Sequence, residues 1–149
     1  MSNNGLLESQ PLNPIGEYKI LVIGEEGVGK TSLILRYVDK TFNPSTQQSI
    51  GLDFKKINVT IDDNTNQFIA LSIWDTAGTE KYNSMINTFL KNADGIILCF
   101  DIGNRVSFDQ LNNFWSSLIN DYYCFGEKYT TACCLFLVGN KCDLDEENK

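Results

Sequence analysis

Residues 24–31, GEEGVGKT, place glycines, a lysine and a hydroxyl in the order G-x-x-x-x-G-K-[ST]. Glycines there let backbone N–H groups curl around an anion, and the amino end of a following helix adds partial positive charge. Lys30 is spaced to reach the outer phosphates of a nucleoside triphosphate, and Thr31 to offer its hydroxyl to a magnesium ion. Glu26, Gly27, Val28 and Gly29 supply the loop around those phosphates. The competing reading is a glycine-rich turn that binds nothing, and a complete match in a strand–loop–helix context speaks against it. Alone, the motif specifies only a nucleoside triphosphate.

Two further segments add chemistry. In WDTAGTE, residues 74–80, Asp75 directly follows the apolar run ALSIW, so its carboxylate is expected at the carboxyl end of a strand, suited to magnesium. An aspartate after a strand is often only a helix cap, but Gly78 permits close backbone approach, and its N–H can donate to a terminal phosphate. In NKCD, residues 140–143, the Asp143 carboxylate can accept two N–H groups together, the ring imino and exocyclic amine of guanine. Adenine lacks that pair of donors and would leave the carboxylate unpaired, at a cost in affinity. Asn140 is expected to tie this loop to the phosphate loop, while the stem of Lys141 covers the base.

These motifs must be held by a scaffold, and the apolar patterning supplies one. Residues 18–23 (YKILVI) read as a buried strand ending at Gly24. Leu33, Ile34, Tyr37 and Val38 are spaced for one face of a helix from about Lys30. A loop at 40–49 follows, containing Pro44. Alternating segments 52–61 and 68–74, joined by Asp-Asp-Asn-Thr-Asn, predict a hairpin. Residues 95–100 (GIILCF) and 131–138 (TACCLFLV) read as two further buried strands. Helical spacing runs between them from Phe108 to Tyr122, and a less regular helix is expected over 81–90. The order predicts an α/β fold, an open and mostly parallel sheet with one hairpin strand, whose ligands sit at the strands' carboxyl ends. The three motifs fall there.

Composition narrows the chemistry. The 149 residues have the length of one domain, with residues 1–16 a polar, flexible arm and 17–149 the folded unit. A net charge of −7 argues against binding nucleic acid, which needs a basic face. With no histidine, catalysis must run on carboxylates, hydroxyls, lysine, amides or a bound cation. Of five cysteines, Cys99, Cys133 and Cys134 lie in apolar runs and read as small buried hydrophobes. The odd count, without a signal peptide, points to a reducing cytoplasm. No apolar run approaches the roughly 20 residues of a membrane span, and the chain supplies no cysteine at its end for prenylation. A cytoplasmic monomer is expected, with membrane association only through a prenylated tail beyond this chain.

From about Tyr18 to Leu144 the chain resembles the small Ras-like GTPases, and within them the Rab branch. The likeness rests on YKILVIGEEGVGKTSL, SIGLDF, WDTAG, IILCFDI and NKCDL. It implies a P-loop G domain with helices on both faces of the sheet, binding GTP or GDP with Mg²⁺ and hydrolysing GTP. It implies nucleotide contacts by Glu26, Gly27, Val28, Gly29, Lys30, Thr31, Ser32, Gly78, Asn140, Lys141 and Asp143. Phe42 falls where the family sets an aromatic edge against guanine, and Ser49 where a switch-loop hydroxyl joins Thr31 and Asp75 around magnesium. Lys30, Gly78 and Thr79 fall in the catalytic positions. Phe54, Trp74 and Phe89 fall on the aromatic triad that Rab proteins present to effectors, although as aromatics near strand ends they read equally well as core. Effector, exchange and GTPase-activating proteins are expected to bind through 40–54 and 75–90.

Departures from the pattern shape the expected activity. Thr79 stands where the family usually carries the glutamine that orients the attacking water. Glu26 puts a carboxylate in a loop position that the family keeps small, and Ser49 replaces threonine. After NKCDL the family continues with a last strand, a further base-contacting loop and a long helix, and this chain is expected to lack them and to leave one sheet face partly uncovered. The expectation is a slow GTP/GDP switch in vesicle trafficking or signalling. The alternatives are a guanine-nucleotide-binding module without turnover, and an adenine-specific kinase or ATPase, against which NKCD speaks.

Overall fold

A computed structural model of the protein describes residues 13–44, 52–62, 64–78, 86–124 and 133–145. The apolar run at its centre forms β1 (Glu17–Ile23), which grows more buried toward its carboxyl end until Leu21, Val22 and Ile23 are fully enclosed. Both faces of β1 are apolar because both are covered. Leu21 and Ile23 pack with Leu90, Ile96, Leu111, Trp115 and Ile119 on one side. Val22 packs with Val28, Ile34, Ile73 and Cys99 on the other.

Four strands join β1. β2 (Leu52–Asp62) and β3 (Gln67–Thr76) form an antiparallel hairpin with Phe54 opposite Trp74. The hairpin turn is held by the Asp62 carboxylate, which accepts from Asn64 N at 2.9 Å and from Thr65 Oγ1 at 2.9 Å. β4 (Gly95–Asp101) and β5 (Cys134–Asn140) complete the sheet, in the order β2-β3-β1-β4-β5, parallel except for β2.

Helix α1 (Lys30–Val38) covers the face of Val22 through the buried Ile34. The opposite face is covered by α2 (Ile86–Leu90), α3 (Arg105–Gln110), a π-helical turn at Leu111–Trp115 and α4 (Ser116–Cys124). The Asn104 side chain accepts from Val106 N at 3.1 Å and starts α3. The architecture is the mostly parallel sheet with one antiparallel hairpin strand and helices on both faces that the sequence predicts. Among the described residues, no helix is long and apolar enough to cross a membrane.

Three expectations change. The apolar run expected to be a buried strand over 131–138 instead forms β5, shifted toward Asn140, and its Leu135, Phe136 and Leu137 are more than half exposed. Among the described residues β5 pairs only with β4, at the edge of the sheet, and hydrophobic composition cannot distinguish an edge strand from a central one. Cys134 is accordingly exposed and Cys133 half-buried, so only Cys99 among the three is a core thiol. Lastly, β3 runs on through Thr76, so Asp75 belongs to the strand rather than following it.

Burial pushes the Cys99 thiol up to about 11. Alkylation requires the thiolate. Iodoacetamide at about pH 8 is therefore expected to label the exposed Cys134 and Cys142 and to spare Cys99 until the protein is unfolded. Peptide mass mapping reads the outcome, and labelling of native Cys99 as fast as Cys134 contradicts it.

Candidate functional site

β1 runs directly into Gly24, whose backbone has φ 148 and passes so close to the Cys99 carbonyl that a side chain would collide with it. The loop turns through Gly27 (φ 76) and Gly29 (φ 95), in the left-handed region that glycine adopts without strain. Gly29 stands at the start of α1 with no side-chain hydrogen bond capping it, and a helix start of this kind can offer its amides to an anion. Lys30 is 4% exposed, and its ammonium donates to the carbonyls of Gly24 at 3.0 Å and Glu25 at 2.9 Å. A buried cation held by loop carbonyls fixes both the loop's curvature and the charge at its centre.

The end of β3 approaches from one side. Thr76 Oγ1 donates to Val22 O at 2.9 Å, which pins this end of the strand to β1. Gly78 (φ 82) lies so near the loop that an added Cβ would stand 2.6 Å from Glu26 N and 2.8 Å from Lys30 Nζ. Only glycine fits there, and its backbone is thereby held against the phosphate loop. Asp75 is buried beside Thr76.

The end of β5 closes the other side. Asn140 Nδ2 donates to Val28 O at 2.9 Å, with Gly29 O at 3.5 Å, so the NKCD loop is fastened to the phosphate loop across 112 residues of sequence. Lys141 adopts φ 64, and its ammonium pairs with Asp101 Oδ2 at 2.8 Å. That ion pair holds the lysine stem over the loop near Gly29.

One cavity of about 600 Å³ results, lined by Glu26, Gly27, Gly29, Lys30, Thr31, Ser32, Phe42, Asn140, Lys141 and Asp143 together with Thr76 and Ala77. Val28 lies buried under it. Phe42 is 65% exposed at the rim, opposite in sequence to the NKCD loop but sharing its cavity. Residues of GEEGVGKT and NKCD thus share the cavity with Thr76 and Ala77 of WDTAG, whereas Asp75 and Gly78 are not among its lining residues. Ser49 and Thr79 lie outside the described residues. Leu33, Arg36, Asn43, Pro44 and Leu144 also line the space, and sequence reading missed them. It also missed Asp101 as the partner of Lys141, although Asp101 ends β4 as Asp75 nears the end of β3, and the same strand-end rule would have found it.

Among the described residues no three His, Cys, Asp or Glu side chains cluster as a metal cage, while the Thr31 hydroxyl lines the cavity and the Asp75 carboxylate is buried close by in sequence to its wall. A hydroxyl and a carboxylate are oxygen donors of the kind that hard cations take.

A family model described as the Ras family matches residues 19–149. The chain belongs to the Ras family. Its similarity runs to the Rab branch: it is 43% identical over 129 residues to Ras-related protein Rab-1 of Theileria parva, covering 87% of this chain and 54% of that one. To Rab-18 of Caenorhabditis elegans it is 38% identical over 132 residues, 89% of this chain and 61% of the relative. To human Rab-3A it is 40% identical over 146 residues, 98% of this chain and 62% of the relative. The chain spans about half to three-fifths of the length of these curated relatives.

The Asn140 bond joins two of the cavity's walls, and its loss leaves the Val28 carbonyl without that donor. Asn140→Ala is expected to lower stability by about 1–2 kcal/mol, or roughly 3–6 °C in thermal midpoint. An unchanged midpoint in a thermal melt would show that the fastening contributes nothing.

Proposed function

We propose that this Ras-family protein is a magnesium-dependent guanine-nucleotide switch that hydrolyses GTP slowly. The observation that carries the reading is the continuity of one cavity from the Lys30 loop to Asp143, with Asn140 joining the two. A ligand filling that cavity must present phosphates at one end and a donor-bearing ring at the other. GTP and GDP do so.

The chain's own residues divide the work. The amides from Gly27 to Thr31 hold the phosphates, and Lys30 and Ser32 act at their oxygens. Asp143 accepts the two guanine N–H groups, the Lys141 stem covers one face of the base and Phe42 meets its edge. Thr31 and Ser49, with Asp75 behind them, would hold magnesium, which when bound neutralises charge on the outer phosphates. In hydrolysis water attacks the terminal phosphorus and the bond to the bridging oxygen breaks, giving GDP and phosphate. Lys30 and the Gly78 N–H stabilise the charge that develops.

Turnover is held down at two points. Thr79 lacks the paired amide donor and acceptor that would orient the water. Glu26 lines the cavity and sets a carboxylate in the loop that receives the phosphates, where like charges repel. These two residues also support a second reading, a guanine-nucleotide-binding module without turnover, which differs only in phosphate release. In either case effector, exchange and activating proteins read the nucleotide through 40–54 and 75–90, within the trafficking or signalling role that the Rab resemblance implies. The exposed Phe54, stacked on Trp74 with centroids 5.4 Å apart, supports a docking surface there.

Two measurements test this. Thr79→Gln is expected to raise the single-turnover rate of GTP hydrolysis roughly tenfold or more, and no gain contradicts the assignment of slow turnover to Thr79. Asp143→Asn is expected to weaken GDP binding about 10- to 100-fold, whereas an unchanged affinity in a fluorescence titration removes Asp143 from the base site.

A further inference from the structure

The phosphate site makes no use of Lys19, a half-buried cation on β1 that reaches a different part of the molecule. Its backbone N–H donates to Asp94 Oδ2 at 2.7 Å, and its carbonyl accepts from Asp94 N at 2.9 Å. The side chain then crosses to the carboxyl end of α2. There the ammonium donates to Phe89 O at 2.6 Å and Lys91 O at 2.9 Å. The same ammonium stands 4.8 Å from the centre of the Trp74 ring.

Each contact meets a need of its partner. The last carbonyls of a helix have no intrahelical donors, and the helix dipole favours a cation at that end. α2 has five described residues ending at Leu90, and the backbone turns off at Asn92 with φ 58. Trp74 has a comparable problem, because its indole N–H is buried and finds no acceptor among the described residues. The ring is held instead by the Lys19 cation on one hand and by Phe54 stacked at 24° on the other. Desolvation pulls the Lys19 ammonium below its ordinary pKa, with the Asp94 carboxylate acting in the opposite sense.

We propose that Lys19 is a positioning residue that locks Trp74 and the carboxyl end of α2 into one preformed platform beside Phe54 and Phe89. Because Lys19 lies on β1, five positions before Gly24, the platform is set in register with the phosphate loop through a single rigid strand. A partner inserting apolar side chains over Phe54 and Trp74 then meets an ordered surface and loses less entropy on binding. That a partner uses this surface rests on the proposed function above, whereas its ordering is measurable on the protein alone.

The test compares Lys19→Met, which keeps the aliphatic stem and removes the donors, with Lys19→Arg, which keeps the charge and donors. Trp115 is fully buried, so acrylamide quenching of the two tryptophans reports chiefly on Trp74. Lys19→Met is expected to raise hydrogen exchange over residues 86–93 about tenfold and the quenching constant about twofold, with GDP affinity within about threefold of the unmodified protein. Lys19→Arg is expected to return both readouts to within about twofold. The proposal is overturned if Lys19→Met changes neither readout, if Lys19→Arg fails to restore them, or if exchange rises equally across β1 and β4. If Lys19→Met does not fold, Lys19→Arg alone decides: protection at 86–93 and shielding of Trp74 must both persist. Loss of partner binding plays no part in any of these outcomes.

Discussion

A buried ammonium surrounded by backbone carbonyls is the constraint on which the rest of this structure depends. Lys30 is almost wholly enclosed, and an enclosed cation is costly unless it is hydrogen-bonded. The carbonyls of Gly24 and Glu25 satisfy it, and they can do so only if the loop curls tightly. That curl goes with the positive φ values at Gly27 and Gly29, which lead the chain into α1. β1 is apolar on both faces because both are covered. Its end carries the loop, so the strand has to be rigid and central.

The other walls are fastened to this loop rather than built independently. Gly78 is pressed against Glu26 and Lys30 from the β3 side. Asn140 bonds Val28 from the β5 side, and Asp101 steers Lys141 over the rim. A ligand that fills the cavity therefore touches segments of three strands at once. Gly78 lies against Glu26 and Lys30 at one side of the loop, while Asn140 fastens the NKCD loop to Val28 at another. Toward the start of β1 a second cation, Lys19, meets a helix end and an indole, donating to Phe89 O and standing 4.8 Å from the Trp74 ring.

Much of the site was legible in the sequence because its residues act locally. In GEEGVGKT and NKCD the spacing itself sets which backbone amides and side chains converge, and a strand end does the rest. Asp101 obeyed the same rule and was overlooked only because it belongs to no named motif. Features that depend on distant segments were not legible. Lys19 meets Phe89 and Lys91, 70 and 72 residues away, and nothing in YKILVI distinguishes it from a solvated charge. The exposure of β5 was hidden for a related reason: CLFLV looks the same whether its neighbours number one or two. Arg36, Asn43 and Pro44 line the cavity only because of how the chain leaves α1.

The central claim is that one continuous cavity reads phosphates at Lys30 and a guanine edge at Asp143. Competition for a fluorescent GDP probe tests it most directly, using unlabelled GDP, its inosine counterpart without the exocyclic amine, and ADP. The account predicts that GDP displaces the probe, that inosine diphosphate does so roughly tenfold or more weakly, and that ADP fails even at about 100-fold excess. Displacement by ADP as effective as by GDP would contradict it.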